Sequence, residues 1–594
     1  MAIERLFDLL PHYANSFDPK DDVLAYKEDG IWKKIDIQKY KRNVDLLSYG
    51  LLKLGIKKGD KVATIMNNRP EWNYLDFAIM HTGAIHVPIY PTISKSDYQY
   101  IFCHAEIRFV FVAGDEMAKK IREIVDLCPS VEEVFTIKGK NGERTINDVM
   151  TLGDANANPE KVDEIKSQIK GSDVATIIYT SGTTGNPKGV MLSHTNIISN
   201  FVGVSYIPTF GQEGKALSFL PLCHVYERML NYMYLYLGIS IYYAESLATI
   251  TDNIKEIHPD MMCCVPRLLE KIYDKIIATG RKLKGVKRMI FFWSLNLADR
   301  YDVNGNNSLW YKFWQAIADK LVYIKWREAL GGNFKIIVSG GAAIQPRIIR
   351  TFRAAGLPIY EGYGLTETSP VVACTSIVKN GIKIGTVGPP LVGVSVKISD
   401  DGEILAKGPN IMLGYYRDPE LTAQVIDKDG WFHTGDVGVI EPEGQLRITG
   451  RKKEIFKTSL GKYIAPELLE NKIKESPFID NVMVVGENQK FAAALIVPDF
   501  NFLKSWCKKK GHEYTTDEEM VLNPIIRQRI GKVIDNANVH FGSSEQIKKF
   551  DLLSNEWSTQ SGDLTPTLKF RRSYMYEKYS AVIEKMFTSN NVKV

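Results

Sequence analysis

The stretch Tyr179–Gly189, YTSGTTGNPKG, concentrates groups that bind anions. It holds three glycines, four Ser/Thr hydroxyls and a lysine in eleven residues. Gly182, Gly185 and Gly189 free backbone N–H groups to point inward. Thr180, Ser181, Thr183 and Thr184 offer hydroxyl donors, and Lys188 adds a mobile positive charge. Together these are the parts of a phosphate-binding nest. The spelling departs from G-x-x-x-x-G-K-[ST], because Gly189 and not a hydroxyl residue follows Lys188. The setting departs too. DVATIIYT before the loop reads as a strand, and GVMLS after it reads as a second strand, before helical HTNIISNF begins. A Walker loop runs directly into a helix N-terminus. This loop lies between two strands and must grip its anion in another way, although a plain Gly/Ser/Thr turn has the same composition.

Other fragments carry complementary chemistry. SGGAAI, Ser339–Ile344, follows the strand-like FKIIV and precedes a helical run. A Gly-Gly turn there lets a planar ring approach the backbone. YEGYGLTETSP, Tyr360–Pro370, sets an aromatic and an acid beside small turn residues, and WFHTGDVG supplies Asp436 as an acceptor for sugar hydroxyls. TGRKKEIFK adds fixed cations, and SFLPLCHVYERM places His224 where a strand gives way, past Pro221, to a helix. Taken singly each is ambiguous: a lone Gly-Gly is ordinarily a turn, and a lone Asp a cap.

The elements that must position these groups follow from the hydrophobic pattern. A chain of 594 residues is too long for one core. Short β-rich runs alternate with helical ones, as in KVATIMNN then EWNYLDFAIMHTGA, and IRFVFVAG then EMAKKIREIVDL. That alternation predicts a layered, parallel-sheet α/β body. Near VGPPLVGVSVKISDDGEILAKGPN the style changes to short strands and Gly/Pro turns, which predicts a small antiparallel or barrel-like part. Beyond Gly450 a charged segment leads to NVMVVGE, AAALIVP and charged helices. The expectation is a large N-terminal domain, 1–449, and a smaller α+β domain, 450–594.

Composition narrows the partners. Net charge is +6, from 75 basic and 69 acidic residues, which gives no reason to expect nucleic acid but suits anionic ligands or an anionic lipid surface. Seven scattered cysteines without metal-ligand spacing argue against zinc or a disulfide framework and for a reducing, cytoplasmic setting, with the inner membrane face as a place of peripheral contact. MAIERLFDLLPHY has early acids and no long apolar run, so no signal peptide is expected. MLNYMYLYLGISIYYA, interrupted by Asn231 and Gly-Ile-Ser, reads as a buried helix running into a buried strand. Ile3, Leu6, Phe7 and Leu10 share a helical face, which a docked terminal helix or a membrane foot would both use. Residues 281–330 interleave basic and aromatic side chains, which fits a membrane interface or a packed helical insertion.

YTSGTTGNPKG, YGLTE, TGD and GRKKEIFK occur in the order and with the approximate separations of the adenylate-forming (AMP-binding) superfamily, which the chain resembles over nearly its whole length. VPRLLEKIY and the segment after it are similar to the long-chain fatty acyl-CoA synthetase branch. The resemblance implies ATP-dependent activation of a fatty acid to acyl-AMP, then transfer to coenzyme A, with Mg²⁺ as the metal. It implies that Thr180–Gly185 and Lys188 hold the outer phosphates, that Thr366 touches the α-phosphate and that Glu367 coordinates Mg²⁺. Gly340, Gly341 and Ala342 with Glu361, Gly362 and Tyr363 would form the adenine slot, and Asp436 and Arg451 would hold the ribose. His224 would lie near the substrate carboxylate, Gly461 would approach the thiol ligand, and Lys453 would be the hinge of a mobile C-terminal domain. Lys569, in TPTLKFRR, falls on the catalytic lysine, although Thr567-Leu568 stand where many relatives have Ser-Gly. Transfer to a free carrier protein and a non-catalytic acyl- or nucleotide-sensing role are the alternatives.

Overall fold

The computed structural model describes residues 3–139, 142–180, 186–375, 382–514, 516–558, 560–565 and 570–588. Two compact units form. The first comprises Met1–Lys397, Leu405–His433 and Pro442–Leu446; the second comprises Ile398–Ile404, Thr434–Glu441 and Arg447–Val594. The chain therefore passes between them several times within its segment of short strands.

The first unit contains two large sheets. One runs in the order Val371–Cys374, Ile359–Gly364, Ile336–Gly340, Met261–Cys264, Lys215–Ser218, Ser240–Tyr243, Leu24–Glu28, Ile31–Ile35. Its central strands pair in parallel, as the alternation of strands and helices requires. The other runs Gly414–Tyr415, Lys188–Ser193, Val174–Thr180, Ile85–Pro88, Lys61–Ile65, Ile107–Val112, Glu133–Thr136. Here Val174–Thr180 is parallel to Ile85–Pro88 but antiparallel to Lys188–Ser193, so the sequence 181–187 joins two antiparallel neighbours. VATIIYT is buried through its middle five residues because helices or a sheet cover both faces of such a strand.

Two readings of apolar segments resolve. The helix Val225–Leu237 is almost wholly buried, ends at Gly238 in the left-handed region (φ 76°), and leads to the buried strand Ser240–Tyr243. Among the described residues no helix is long and apolar enough to cross a membrane. At the N-terminus Leu6, Phe7 and Leu10 are buried, Phe7 meets His81 and His194 edge-on, and the Leu6 N–H donates to His194 Nδ1 at 3.2 Å. The apolar face is spent inside the molecule, so the membrane-foot alternative is set aside.

The second unit has its own core around the strands Ile479–Val485, Ala492–Pro498 and Ile547–Leu552. The first two are antiparallel and the last two parallel. Helices Pro466–Ile473, Phe500–Lys510 and Pro524–Asn538 bury apolar faces in that core. The described cysteines are free thiols. The closest sulphurs are those of Cys103 and Cys128, 2.8 Å apart in space, and not those of the adjacent Cys263 and Cys264.

Candidate active site

Antiparallel pairing puts Lys188 opposite Thr180 at the mouth of the Thr180–Lys188 loop. The edge strand Gly414–Tyr415 then pairs with Lys188–Ser193, with Tyr415 opposite Val190. This delivers the Tyr415 ring beneath Lys188, whose Nζ lies 5.5 Å from the ring centroid. The same tyrosine donates its hydroxyl to Glu367 Oε1 at 2.9 Å. Burial and then the neighbouring Glu367 carboxylate push the Tyr415 hydroxyl up, so it stays protonated and donating at neutral pH. Glu367 sits in the short turn Thr366–Thr368, and its carbonyl accepts from the Met412 N–H at 2.9 Å, two residues before the edge strand. A lysine and a glutamate thus flank one tyrosine, and among the described residues neither makes an ion pair. Tyr415, 48 residues beyond Glu367, carries no mark in its local sequence, GYYRD, that would have singled it out.

The fragments SGGAAI and YEGYG also meet. In the first sheet Gly340 is opposite Gly362 and Ser339 opposite Glu361, so SGGAAI and YEGYG leave the ends of adjacent parallel strands. That is where ligands bind in open α/β sheets. Gly341 has φ 84°, a conformation that glycine adopts freely. A Cβ on Gly340 would stand 3.2 Å from the Tyr226 ring, so the absent side chain is replaced by a neighbouring aromatic edge. Tyr363 is 8% exposed and mostly packed. Burial pushes the Glu361 carboxyl up to about 8, leaving it largely protonated near neutrality. A neutral acid suits an uncharged base better than a carboxylate does. Ser339 Oγ is buried and has no hydrogen-bond partner among the described residues.

His224 caps the helix Val225–Leu237, its Nδ1 accepting from the Tyr226 N–H at 3.2 Å. Tyr226 links this cap to Gly340. The turn before the cap is pinned by Asn68, which donates to Leu220 O at 2.7 Å and accepts from the Leu222 N–H at 3.0 Å. One turn into the helix, Arg228 is fully buried with Asp76. Its guanidinium also donates to Thr176 Oγ1 at 2.6 Å and Tyr232 Oη at 2.9 Å. Burial opposes ionisation of Asp76, but Arg228 and His86 beside it hold its carboxyl below the usual range. Burial keeps His86 neutral; its Nδ1 donates to Asp76 at 2.6 Å. The network fastens the His224 helix to Val174–Thr180, the strand that leads into the Thr180–Lys188 loop.

Within the second unit Asp436 and Arg451 come together, Nε to Oδ1 at 3.2 Å, from the strands Phe432–Ile440 and Leu446–Arg451. Asp436 is buried and Arg451 half-exposed. Lys452 is locked by Asp401 and Glu403 at 2.6 and 2.9 Å, whereas Lys453 is exposed. Gly461, at φ 78°, turns the hairpin between Phe456–Lys457 and Tyr463–Ile464. Arg572, three residues after Lys569, is held by Glu454 at 3.0 Å and Glu470 at 2.7 Å. Ser181, Gly182, Thr183, Thr184, Gly185 and Lys569 lie outside the described residues. Thr366 begins the turn Thr366–Thr368, Gly362 lies on the strand Ile359–Gly364, and Ala342 follows the Gly340-Gly341 pair in a bend.

Among the described residues no three metal-ligating side chains cluster. A Mg²⁺ ion held by one carboxylate and by substrate phosphates needs no such cluster, and Glu367, which among the described residues makes no ion pair, fits that use.

Comparison with known proteins agrees with this geometry. The family described as AMP-binding enzyme matches residues 14–416, and AMP-binding enzyme C-terminal domain matches 453–591. Long-chain-fatty-acid–CoA ligase FadD15 of Mycobacterium bovis is 34% identical over 95% of this chain and 94% of its own. Long-chain-fatty-acid–CoA ligase 1 of Homo sapiens is 33% identical over 90% and 80%. Among solved structures, the anthranilate CoA ligase AuaEII in complex with anthranoyl-AMP superposes with TM-score 0.72 at 17% identity, covering 98% of this chain and 99% of that one. ATP-bound MatB from Rhodopseudomonas palustris superposes with TM-score 0.71 at 21% identity, covering 97% and 99%. At such identities these structures speak to the fold, which is the same. The motifs, the two-unit architecture and the family match over most of the sequence lead to one conclusion: this chain belongs to the AMP-binding enzyme family.

Proposed function

We propose that this chain is an ATP-dependent long-chain fatty acid–CoA ligase. The observation that carries the reading is the Lys188–Tyr415–Glu367 arrangement, in which two opposite charges share a tyrosine and, among the described residues, neither makes an ion pair. The names of the curated relatives support the long-chain acid and coenzyme A as substrates.

A free carboxylate is a poor acyl donor because its oxygen leaves badly. In the first step the fatty carboxylate attacks the α-phosphorus of ATP, the bond to the β-phosphate oxygen breaks, and pyrophosphate leaves. In the second, the coenzyme A thiol loses its proton and attacks the acyl carbon, and AMP leaves. Charge is dispersed in both steps, so positioning and electrostatics supply the rate, with no protein nucleophile. Lys188 and the Thr180–Gly185 loop hold the outer phosphates, which must later depart. Glu367, oriented by Tyr415, carries the magnesium, which neutralises phosphate charge when bound. Thr366 contacts the α-phosphate. Gly340, Gly341 and Ala342, with Glu361, Gly362 and Tyr363, take the adenine; Asp436 and Arg451 take the ribose. His224 faces the acyl carboxylate, Lys569 bridges carboxylate and α-phosphate, and Gly461 serves the thiol ligand after the C-terminal domain turns at Lys453.

The test is ATP–pyrophosphate exchange with acids of increasing chain length, followed by thioester formation with free coenzyme A or with a carrier protein. Exchange is expected with long-chain acids, and thioester with free coenzyme A. No exchange with any carboxylic acid, or thioester on carrier protein alone, would contradict the proposal.

A further inference from the structure

The helix Leu309–Ala318 is built inside out. Its inner face is held by polar and small groups: Tyr311 Oη donates to Leu297 O at 2.8 Å, Gln315 donates to Ala354 O at 3.0 Å, and Ala318 is buried. Its outer face carries the bulk. Leu309 is 85% exposed, Trp310 70% and Phe313 55%. The rings form one surface. Trp310 stacks on Phe313 at 5.9 Å, and Trp314 meets each of them edge-on, at 5.6 and 5.3 Å. Trp293 of the preceding helix, Gly285–Ala298, meets Trp314 at 5.7 Å. Exposed Val286 and Met289 share the helical face of Trp293 by their spacing. A contiguous apolar patch of this kind marks a binding surface.

Charge says what binds there. Residues 281–330 hold ten basic and four acidic side chains, a net +6, which equals the net charge of the whole chain. The remainder of the protein is neutral in sum. Lys282, Lys284, Lys287, Arg288 and Lys312 are exposed around the apolar patch. A second copy of this chain would set this positive charge against its like. A nucleic acid would find aliphatic Leu309, Val286 and Met289 where stacking rings are needed. An anionic bilayer satisfies both features, since aromatic side chains settle at headgroup depth while lysines meet lipid phosphates.

We propose that this face docks the protein on anionic membrane surfaces. Docking does not depend on the ligase reading. If that reading also holds, docking brings the site to the phase in which long-chain acids dissolve.

The experiment sediments the full-length protein with vesicles of phosphatidylcholine alone or mixed with phosphatidylglycerol. Binding is expected to be ~10-fold or more tighter on the anionic vesicles at low salt and to weaken as salt rises. Trp310→Ser/Phe313→Ser is expected to lose ~10-fold or more of that binding, and Lys284→Glu/Lys287→Glu several-fold, with unchanged thermal midpoints. These positions are exposed, so a shifted midpoint is not expected. Vesicle binding that ignores both variants would overturn the proposal. So would no vesicle binding at all, or a self-association or nucleic-acid binding that these variants abolish in its place.

Discussion

Arg228 and Lys188 both bear on the strand Val174–Thr180, and their charges are treated in opposite ways. Arg228 reaches Thr176 from a fully buried position, bonded on every side and paired with Asp76. Lys188 stands opposite Thr180 at the end of the same strand, half-buried, against an aromatic face, with no ion pair among the described residues. The contrast separates two uses of charge. A buried ion pair commits both partners to the fold, because removing either leaves an unpaired charge in low dielectric. A cation and an acid that share only a tyrosine keep their electrostatic capacity for something that arrives later.

The comparison can be broken at three places. The largest expected effect is on the paired side. Asp76→Ala should lower stability by ~3–5 kcal/mol, since Arg228 is then stranded in the core. Urea unfolding should show a clear fall in the midpoint; a near-neutral result would mean that Arg228 is hydrated and the contrast is lost.

An intermediate effect tests a third treatment, burial of an acid with no cation. Glu227 is fully buried, with Asn231 donating to it at 3.4 Å, and burial pushes its carboxyl up to about 8. Its unfolded value is near 4.5, so between those values the folded state binds one more proton than the unfolded. Stability from this group is therefore full at low pH and is lost as pH rises from about 4.5 to about 8. Glu227→Gln should remove that slope, matching the parent near the bottom of the window and exceeding it at the top by on the order of 4 kcal/mol. Unfolding curves taken at both ends of the window decide it; parallel curves would show that Glu227 is ionised in the fold.

The smallest effect lies on the uncommitted side. Tyr415→Phe keeps the ring beneath Lys188 but removes the hydroxyl that orients Glu367. Loss of one such hydrogen bond should lower kcat/KM by roughly tenfold, about 1.4 kcal/mol, with little change in stability. Steady-state rates at varied Mg²⁺ should show a weakened metal dependence, and a variant indistinguishable from the parent would remove Tyr415 from the site.

Local chemistry was legible in the sequence wherever a feature is spelled by neighbours. The strands on both sides of the Thr180–Lys188 loop, the Gly340-Gly341 turn after FKIIV, and the strand–Pro221–helix switch at His224 were all readable from short runs. Tyr415, Asn68 and Tyr226 were not, because their roles arise from pairings across tens or hundreds of residues. Arg228 looked like one more charge in HVYERM, since no local pattern says that Asp76, 152 residues away, meets it in the core. Periodicity gave Leu6, Phe7 and Leu10 a common face but not its cover, which proved to be His81, His194 and the first core. In residues 281–330 Phe291, Leu295 and Ala318 are packed, as a helical insertion requires, while Trp310 and Phe313 face outward, a division that composition alone does not assign.

The central claim is that Lys188 and Glu367 are held for a magnesium nucleotide and not for the fold. Thermal unfolding of the parent, Lys188→Ala and Glu367→Gln, with and without Mg²⁺-ATP, tests it directly. The account predicts that all three unfold together without nucleotide, and that only the parent gains the full upward shift when Mg²⁺-ATP is added. Variants that unfold early on their own yet keep the nucleotide shift would contradict it.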